Sequence, residues 1–255
     1  WDGEGRNARA FLWAIALCAA AGAALCALGR HSARRGGFGA QTGFVTVALA
    51  WAAISVFGAM PFWLGGAIPH FVDALFETVS GFTTTGASIL SDVEVLGRGM
   101  LYWRSFTHWL GGMGILVFTL AIVNMDKNAG TMNLMRAESP GPSVGRFTPR
   151  LGQTARILYA IYFVMTVLCV LFLLAGGMPL FDSLCTAFGT AGTGGFGIKN
   201  DSMASYSPYL QNVCTVFMLL FGVNFNVYYL LLLRRFARAV RDEEVLWYFG
   251  VFFAA

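Results

Sequence analysis

Apolar residues run almost without interruption for about twenty positions at a time, over roughly 10–28, 44–64, 101–123, 157–176 and 209–233. A helix rises about 1.5 Å per residue, so about 20 residues cross the ~30 Å hydrocarbon core of a bilayer. Each run is expected as a spanning helix. A further apolar run starts at Val245 and reaches Ala255 before it is long enough to cross. Arg30, Arg34 and Arg35 follow the first run instead of preceding it, which favours a true span over a secretory signal. Trp1 is not an initiator Met, and the chain is expected to be a piece of something longer.

The segments between the runs carry an independent signal. Lys plus Arg along 29–43, 65–100, 124–156, 177–208 and 234–244 number 3, 1, 5, 1 and 4. Basic loops mark the cytoplasmic side. The alternation puts 29–43, 124–156 and 234–244 inside, with the N-terminal tail and the two sparsely basic loops outside.

Composition narrows the function. Apolar residues make up 57% of the 255 and charged residues 12%, whereas a water-facing surface is roughly a quarter to a third charged. A soluble enzyme, a disordered chain and a nucleic-acid binder are excluded, despite the net charge of +4. The five Cys form no C-x-x-C pair and the three His have no H-E-x-x-H spacing, so neither redox chemistry nor zinc is supported. No catalytic constellation is found.

Both outer loops open alike. Residues 69–80 (Pro-His-Phe-Val-Asp-Ala-Leu-Phe-Glu-Thr-Val-Ser) read as an apolar helix too short to span, and 179–189 read the same way. Helices of this length at membrane depth are candidates for re-entrant segments. Each runs into Thr and Gly: Thr83, Thr84, Thr85 and Gly86 after the first, Gly192, Thr193, Gly194 and Gly195 after the second. Asp73 lies 13 residues before Gly86, Asp182 lies 13 before Gly195, and the two glycines are 109 apart. The unit span, short helix, Thr/Gly turn, span thus occurs twice in register. Neither loop has a phosphate-cradling G-x-x-x-x-G-K-[ST] or G-x-G-x-x-G pattern.

Irregular backbone at membrane depth survives where it is buried in protein or lines a wet cavity. Glycine allows angles closed to other residues, and a ring of backbone carbonyls can replace the water shell of a cation. The negative end of the preceding helix dipole adds to that preference. A Gly-rich packing turn is the alternative for either loop alone; two in matched register argue for the ion site.

Ser80–Ala87, Tyr102–Arg104, Trp109–Ile115, Arg136–Pro142 and Pro149–Arg150, with Thr193–Phe196 as a second filter loop, closely resemble the TrkH branch of the TrkH/KtrB potassium transporters. The resemblance runs over essentially the whole chain. It implies an all-α polytopic membrane protein of the bacterial cytoplasmic (inner) membrane. Repeated units of span, re-entrant pore helix, filter loop and span would surround one potassium-channel-like pore. Four non-identical repeats make that pore, preceded by two extra helices, so half of it would be absent here. By this template 1–43 hold the outer tail, a peripheral helix and a basic loop, and 44–125 the first repeat, with pore helix 69–80 and filter 83–86. Residues 126–156 form a cytoplasmic loop, 157–233 the second repeat, with pore helix 179–189 and filter 192–195, and 234–255 a linker and the start of a third repeat. The implied function is potassium uptake without covalent chemistry or a cofactor, K⁺ being the cargo held at filter carbonyls. The implied partners are the lipid bilayer, a second copy in a homodimer and a cytoplasmic TrkA/KtrA-like nucleotide-binding ring. A membrane-embedded redox or hydrolytic enzyme, or a non-conducting structural subunit, is the competing reading.

This chain departs from that pattern at His108, where Gln is usual, along Asn124–Asn128, where an apolar Pro/Gly stretch is expected, and at Gly192, which loosens the second filter. Asp73, Glu77, Arg104 and Asp182 form the expected filter support. Arg104 either snorkels to the outer interface or pairs with Glu77 or Asp73. Asp73 and Asp182 are expected as first-turn acids favoured by the helix dipole. Gly111, Gly112 and Gly114 signal close packing or a hinge. Residues 126–156 carry five basic side chains, suited either to anionic headgroups or to docking of the regulatory ring. Asn224 and Asn226 need partners in lipid, and the Asn200–Ser202 sequon is expected to be coincidental.

Overall fold

The computed structural model describes residues 2–32, 40–114, 151–236 and 243–254. Among them every regular element is helical: α1 (Asp2–Ser32), α2 (Ala40–Leu64), α3 (Phe71–Phe82), α4 (Arg98–Met113), α5 (Leu151–Ala175), α6 (Leu180–Ala191), α7 (Pro208–Gly222), α8 (Phe225–Leu232) and α9 (Glu243–Ala254). Segments 5–29 and 156–175 are long and apolar enough to cross a membrane, with mean hydropathy 2.3 and 2.7. The inner half of the span expected at 101–123, the loop 126–150 and the basic positions between 237 and 242 lie outside the described residues.

The distribution of polarity is that of a protein dissolved in lipid. Leu12, Trp13, Ile15 and Leu25 on α1, and Phe163, Val164, Leu171 and Phe172 on α5, are exposed. Glu77, Thr78, Ser80, Arg104, Ser105, Thr107 and His108 are buried. Apolar side chains outside cost nothing when the solvent is hydrocarbon, whereas polar ones must find partners within the bundle.

Two half-length helices organise the packing. α3 lies between α2 and α4, α6 lies between α5 and α7, and α4 packs on α6, joining the two units. Each unit has its own apolar core: Ala59, Phe62, Ala74, Met100 and Leu101 in the first, Tyr162, Cys169, Leu173, Phe188, Leu210 and Phe217 in the second. Trp109 of α4 enters the second core. Its indole N–H donates to Thr166 Oγ1 at 3.0 Å, while Tyr162 donates its hydroxyl to the Trp109 carbonyl at 3.0 Å.

Several boundaries differ from those read off the sequence. The short helices occupy 71–82 and 180–191 instead of 69–80 and 179–189. The chain around Pro69 is still turning, with Ala67 and Ile68 N–H both donating to the Phe62 carbonyl. At the other end, helical bonding continues to Thr83 N–H on Val79 and Gly192 N–H on Phe188. The run 209–233 is interrupted: Val223 is extended (φ −71°, ψ 139°) between α7 and α8. The break frees carbonyls, and tyrosines take them. Tyr228 donates to Leu220 O at 2.6 Å and Tyr248 of α9 to Leu219 O at 3.0 Å. Asn224, beside the break, donates to Glu244 at 2.7 Å.

Candidate ion filter

α3 and α6 have the same length, 12 residues, and begin 109 positions apart. Asp73 and Asp182 both sit in a first turn, where the positive end of the helix dipole favours a carboxylate. The backbone then repeats itself. Thr83 (φ −83°) and Gly192 (φ −74°) end the helices. Thr84 and Thr193 are left-handed at φ 54° and 56°, and Gly86 and Gly195 are both at φ 78°. Thr85 and Gly194 stay on the negative side. A β-branched residue at positive φ is strained and persists only where its surroundings impose it. Here the same hydrogen bonds impose it twice: Thr84 N–H on Gly81 O (3.0 Å) and Thr193 N–H on Thr190 O (2.9 Å).

The φ sign alternates in the same order along 83–86 and 192–195. The two segments also touch. A Cβ on Gly86 would strike the Gly194 carbonyl, and one on Gly194 would come within 2.7 Å of the Thr84 carbonyl.

Behind the segments lies a buried ion pair. Arg104 of α4 donates from Nε to Glu77 Oε1 of α3 at 2.5 Å. The Glu77 carboxylate also accepts from Ser88 Oγ (2.9 Å) and from Ile89 N–H (2.9 Å). Arg104 uses Nη1 on the Gly197 carbonyl (2.8 Å), and its guanidinium carbon stands 3.6 Å from the centre of the Phe196 ring. Ser88 and Gly197 are themselves 109 apart. One ion pair therefore holds the chain at equivalent points beyond each segment, the acid on the first and the base on the second. The second unit has no such pair of its own, since the positions matching Glu77 and Arg104 are Thr186 and Val213. Asp73 takes no part in that pair, and Asp182 accepts from Tyr206 Oη at 3.3 Å.

Farther out, Asn200 straps the loops together. Its Nδ2 donates to Asp92 (2.8 Å), its Oδ1 accepts from Val93 N–H (2.8 Å), and its own N–H donates to Glu94 (3.1 Å). The Asn200 bond, then the Glu94 N–H, holds the Asp92 carboxyl below the ordinary carboxylate range. The sequon side chain is thus engaged in the fold. Burial, then Asp182, pushes the Tyr206 hydroxyl up to about 12.

The glycines of α4 serve close approach. A Cβ on Gly111 would meet the Phe82 carbonyl, and one on Gly112 would meet the Tyr162 hydroxyl and, at 3.2 Å, Gly192 Cα. Gly114 ends the helix with φ 69°. Sequence reasoning did not find Ser88, Ile89, Gly197 or the Asn200 strap, and it placed Phe196 in the second loop without its contacts to Arg104 and His108. The matched spacing of Ser88 and Gly197 was the one available signal, and their residue types hide it.

Paired half-length helices ending in matched Thr/Gly turns, inside an apolar-faced bundle, define a polytopic membrane protein built from an internal repeat. The family described as TrkH, cation transport protein, matches residues 7–250. The Trk system potassium uptake protein TrkG of Escherichia coli is 36% identical over 209 residues, 80% of this chain and 43% of its own length. The TrkH protein of Salmonella typhimurium is 36% identical over 255 aligned residues, 98% of this chain and 51% of its own. The crystal structure of the potassium transporter TrkH from Vibrio parahaemolyticus superposes with a TM-score of 0.60 at 32% identity, covering 73% of this chain and 37% of that one. The chain belongs to the TrkH family of cation transport proteins. It spans about half the length of the curated relatives it matches.

Proposed function

We propose that this chain supplies two of the strands of a potassium-selective filter in a pore-forming subunit of a Trk/Ktr-type uptake system. The observation that carries the reading is the backbone of 83–86 and 192–195, which alternates in φ sign identically after two matched half-length helices. Carbonyls of Thr83, Thr84, Thr85, Gly86, Gly192, Thr193, Gly194 and Gly195 would take the place of water around K⁺. The C-terminal ends of α3 and α6 add negative potential at the same point. Glu77 and Arg104 brace the loops from behind, and Asp73 and Asp182 stabilise the helix starts. No covalent step is required.

The names of the relatives, each a Trk system potassium uptake protein, support potassium as the cargo. The domain limits 44–125 and 157–233, the placement in the bacterial cytoplasmic membrane with the N-terminal tail outside, the homodimer and the nucleotide-binding regulatory ring belong to the same proposal. They rest on the basic-loop alternation and on the family resemblance.

Gly86→Asp tests the filter in the intact protein, expressed in a host lacking its own potassium uptake. Uptake is expected to vanish while membrane insertion stays normal. Normal uptake by that variant overturns the filter assignment.

A further inference from the structure

Phe196 follows the second Thr/Gly segment directly, yet its side chain belongs to the first unit. The ring is buried, with 3% of its surface exposed. A Cβ placed on Gly81 of α3 would lie 3.5 Å from its Cε2. Two side chains of α4 flank it. The Arg104 guanidinium carbon is 3.6 Å from the ring centre, and the His108 imidazole is stacked within 5° of parallel, with centroids 3.9 Å apart. Two planar groups at those distances cannot share one face of a ring. Phe196 is therefore intercalated between them.

His108 is fully buried, and the Ser80 backbone is the polar group facing its imidazole. Neither ring nitrogen completes a well-formed hydrogen bond, and the closest packing of the ring is through its flat face, on Phe196. The rest of the residue fills the space behind the second filter segment: a Cβ on Gly192 would meet the His108 carbonyl at 2.7 Å, and one on Gly194 would come within 2.8 Å of Nε2. The position matching Phe196 in the first unit is Ala87, and the one matching His108 in the second is Phe217. The stack exists once and crosses between the units.

We propose that Phe196 and His108 are positioning residues for ion selection. Their stack on Arg104 locks the second filter strand to helix α4 of the first unit and so sets the spacing of the carbonyls of 192–195. This rests on the filter reading above. Neither side chain touches the ion; each acts through the backbone it holds. On this proposal K⁺ is told from Na⁺ by the fixed spacing of those carbonyls, one of the two ways a carbonyl ring can select, so loosening the stack costs selectivity before it costs transport.

The test measures initial uptake of K⁺ and competition by Na⁺ in the intact protein, with membrane-inserted protein quantified for each variant. Phe196→Leu keeps the bulk and removes the ring. His108→Phe and His108→Leu are both apolar and of similar size, and differ in the flat ring. Phe196→Leu and His108→Leu are expected to lose K⁺ over Na⁺ discrimination roughly two- to tenfold, the range one aromatic contact supports. His108→Phe is expected to retain it. Phe196→Leu with His108→Leu is expected to be little worse than Phe196→Leu alone, which already removes the His108 contact along with the Arg104 one. Wild-type discrimination in an inserted His108→Leu variant overturns the proposal and leaves the filter reading intact, as does equal loss in His108→Phe and His108→Leu. If the wild-type protein takes up no K⁺, the filter reading falls and this proposal falls with it.

Discussion

Arg104 and Glu77 form a buried ion pair at 2.5 Å, and the two residues hold the chain beyond opposite Thr/Gly segments. A buried pair has little intrinsic advantage over apolar packing, but removing one partner strands a charge. This pair is fixed by its further bonds, to Ser88 and Ile89 on the acid and to Gly197 on the base. It acts as a single brace for two loops.

Glu77→Gln leaves the guanidinium uncompensated and is expected to destabilise the protein by about 3–5 kcal/mol. Arg104→Met strands the carboxylate at similar cost. The double variant is expected to be less damaged than the sum of the two, because neither charge remains. Thermal unfolding of the detergent-solubilised protein measures all three, and strict additivity contradicts the brace.

Gly86 and Gly195 share φ 78° but not their surroundings. A Cβ at Gly86 collides with the Gly194 carbonyl, whereas at Gly195 it meets nothing within 4 Å. Gly195→Ala is expected to cost about 1–2 kcal/mol of backbone strain and to retain measurable uptake. Gly86→Ala is expected to abolish uptake at comparable membrane levels. Equal phenotypes would contradict the asymmetric contact.

Gly112 lets α4 approach the Tyr162 hydroxyl and Gly192 of the second Thr/Gly segment. Gly112→Ala is expected to lower both stability and uptake. Adding Tyr162→Phe removes the atom in the way, and partial recovery of the unfolding temperature is expected. Tyr162→Phe alone loses its bond to the Trp109 carbonyl and is expected to cost about 1 kcal/mol.

The outer strap has a pH signature. Asn200 lowers the Asp92 carboxyl in the folded state, so ionised Asp92 adds stability above the unfolded carboxylate range. That contribution is lost as pH falls through the folded value. Asn200→Ala is expected to flatten this acid limb of the stability profile. Unfolding temperatures measured from neutral pH down to about pH 3, below the usual Asp value, decide it; an unchanged acid limb rules the strap out as its source.

Local information accounts for much of this molecule. Uninterrupted apolar runs at 10–28 and 157–176 had to become helices in lipid, because only a helix satisfies its own backbone there. The spacing of 13 residues from Asp73 to Gly86 and from Asp182 to Gly195 marks the repeated unit without any structure. The ends of α3 and α6 were less legible: Gly81 and Thr190 read as loop, yet helical bonding carries through both. The break at Val223 was hidden, because a run of apolar residues looks the same whether its carbonyls are bonded within the helix or by Tyr228 and Tyr248.

What tertiary structure alone decided is which residue holds which loop. Arg104 offered two acids and a lipid interface by sequence; packing of α3 against α4 selected Glu77. Its bond to Gly197 spans 93 residues, and the Phe196 ring lies between Arg104 and His108. Helix formation and repeat spacing are properties of neighbours along the chain, and periodicity reveals them. The brace and the stack join unlike residues from two units that differ at those positions, so they exist only once α4 packs on α6.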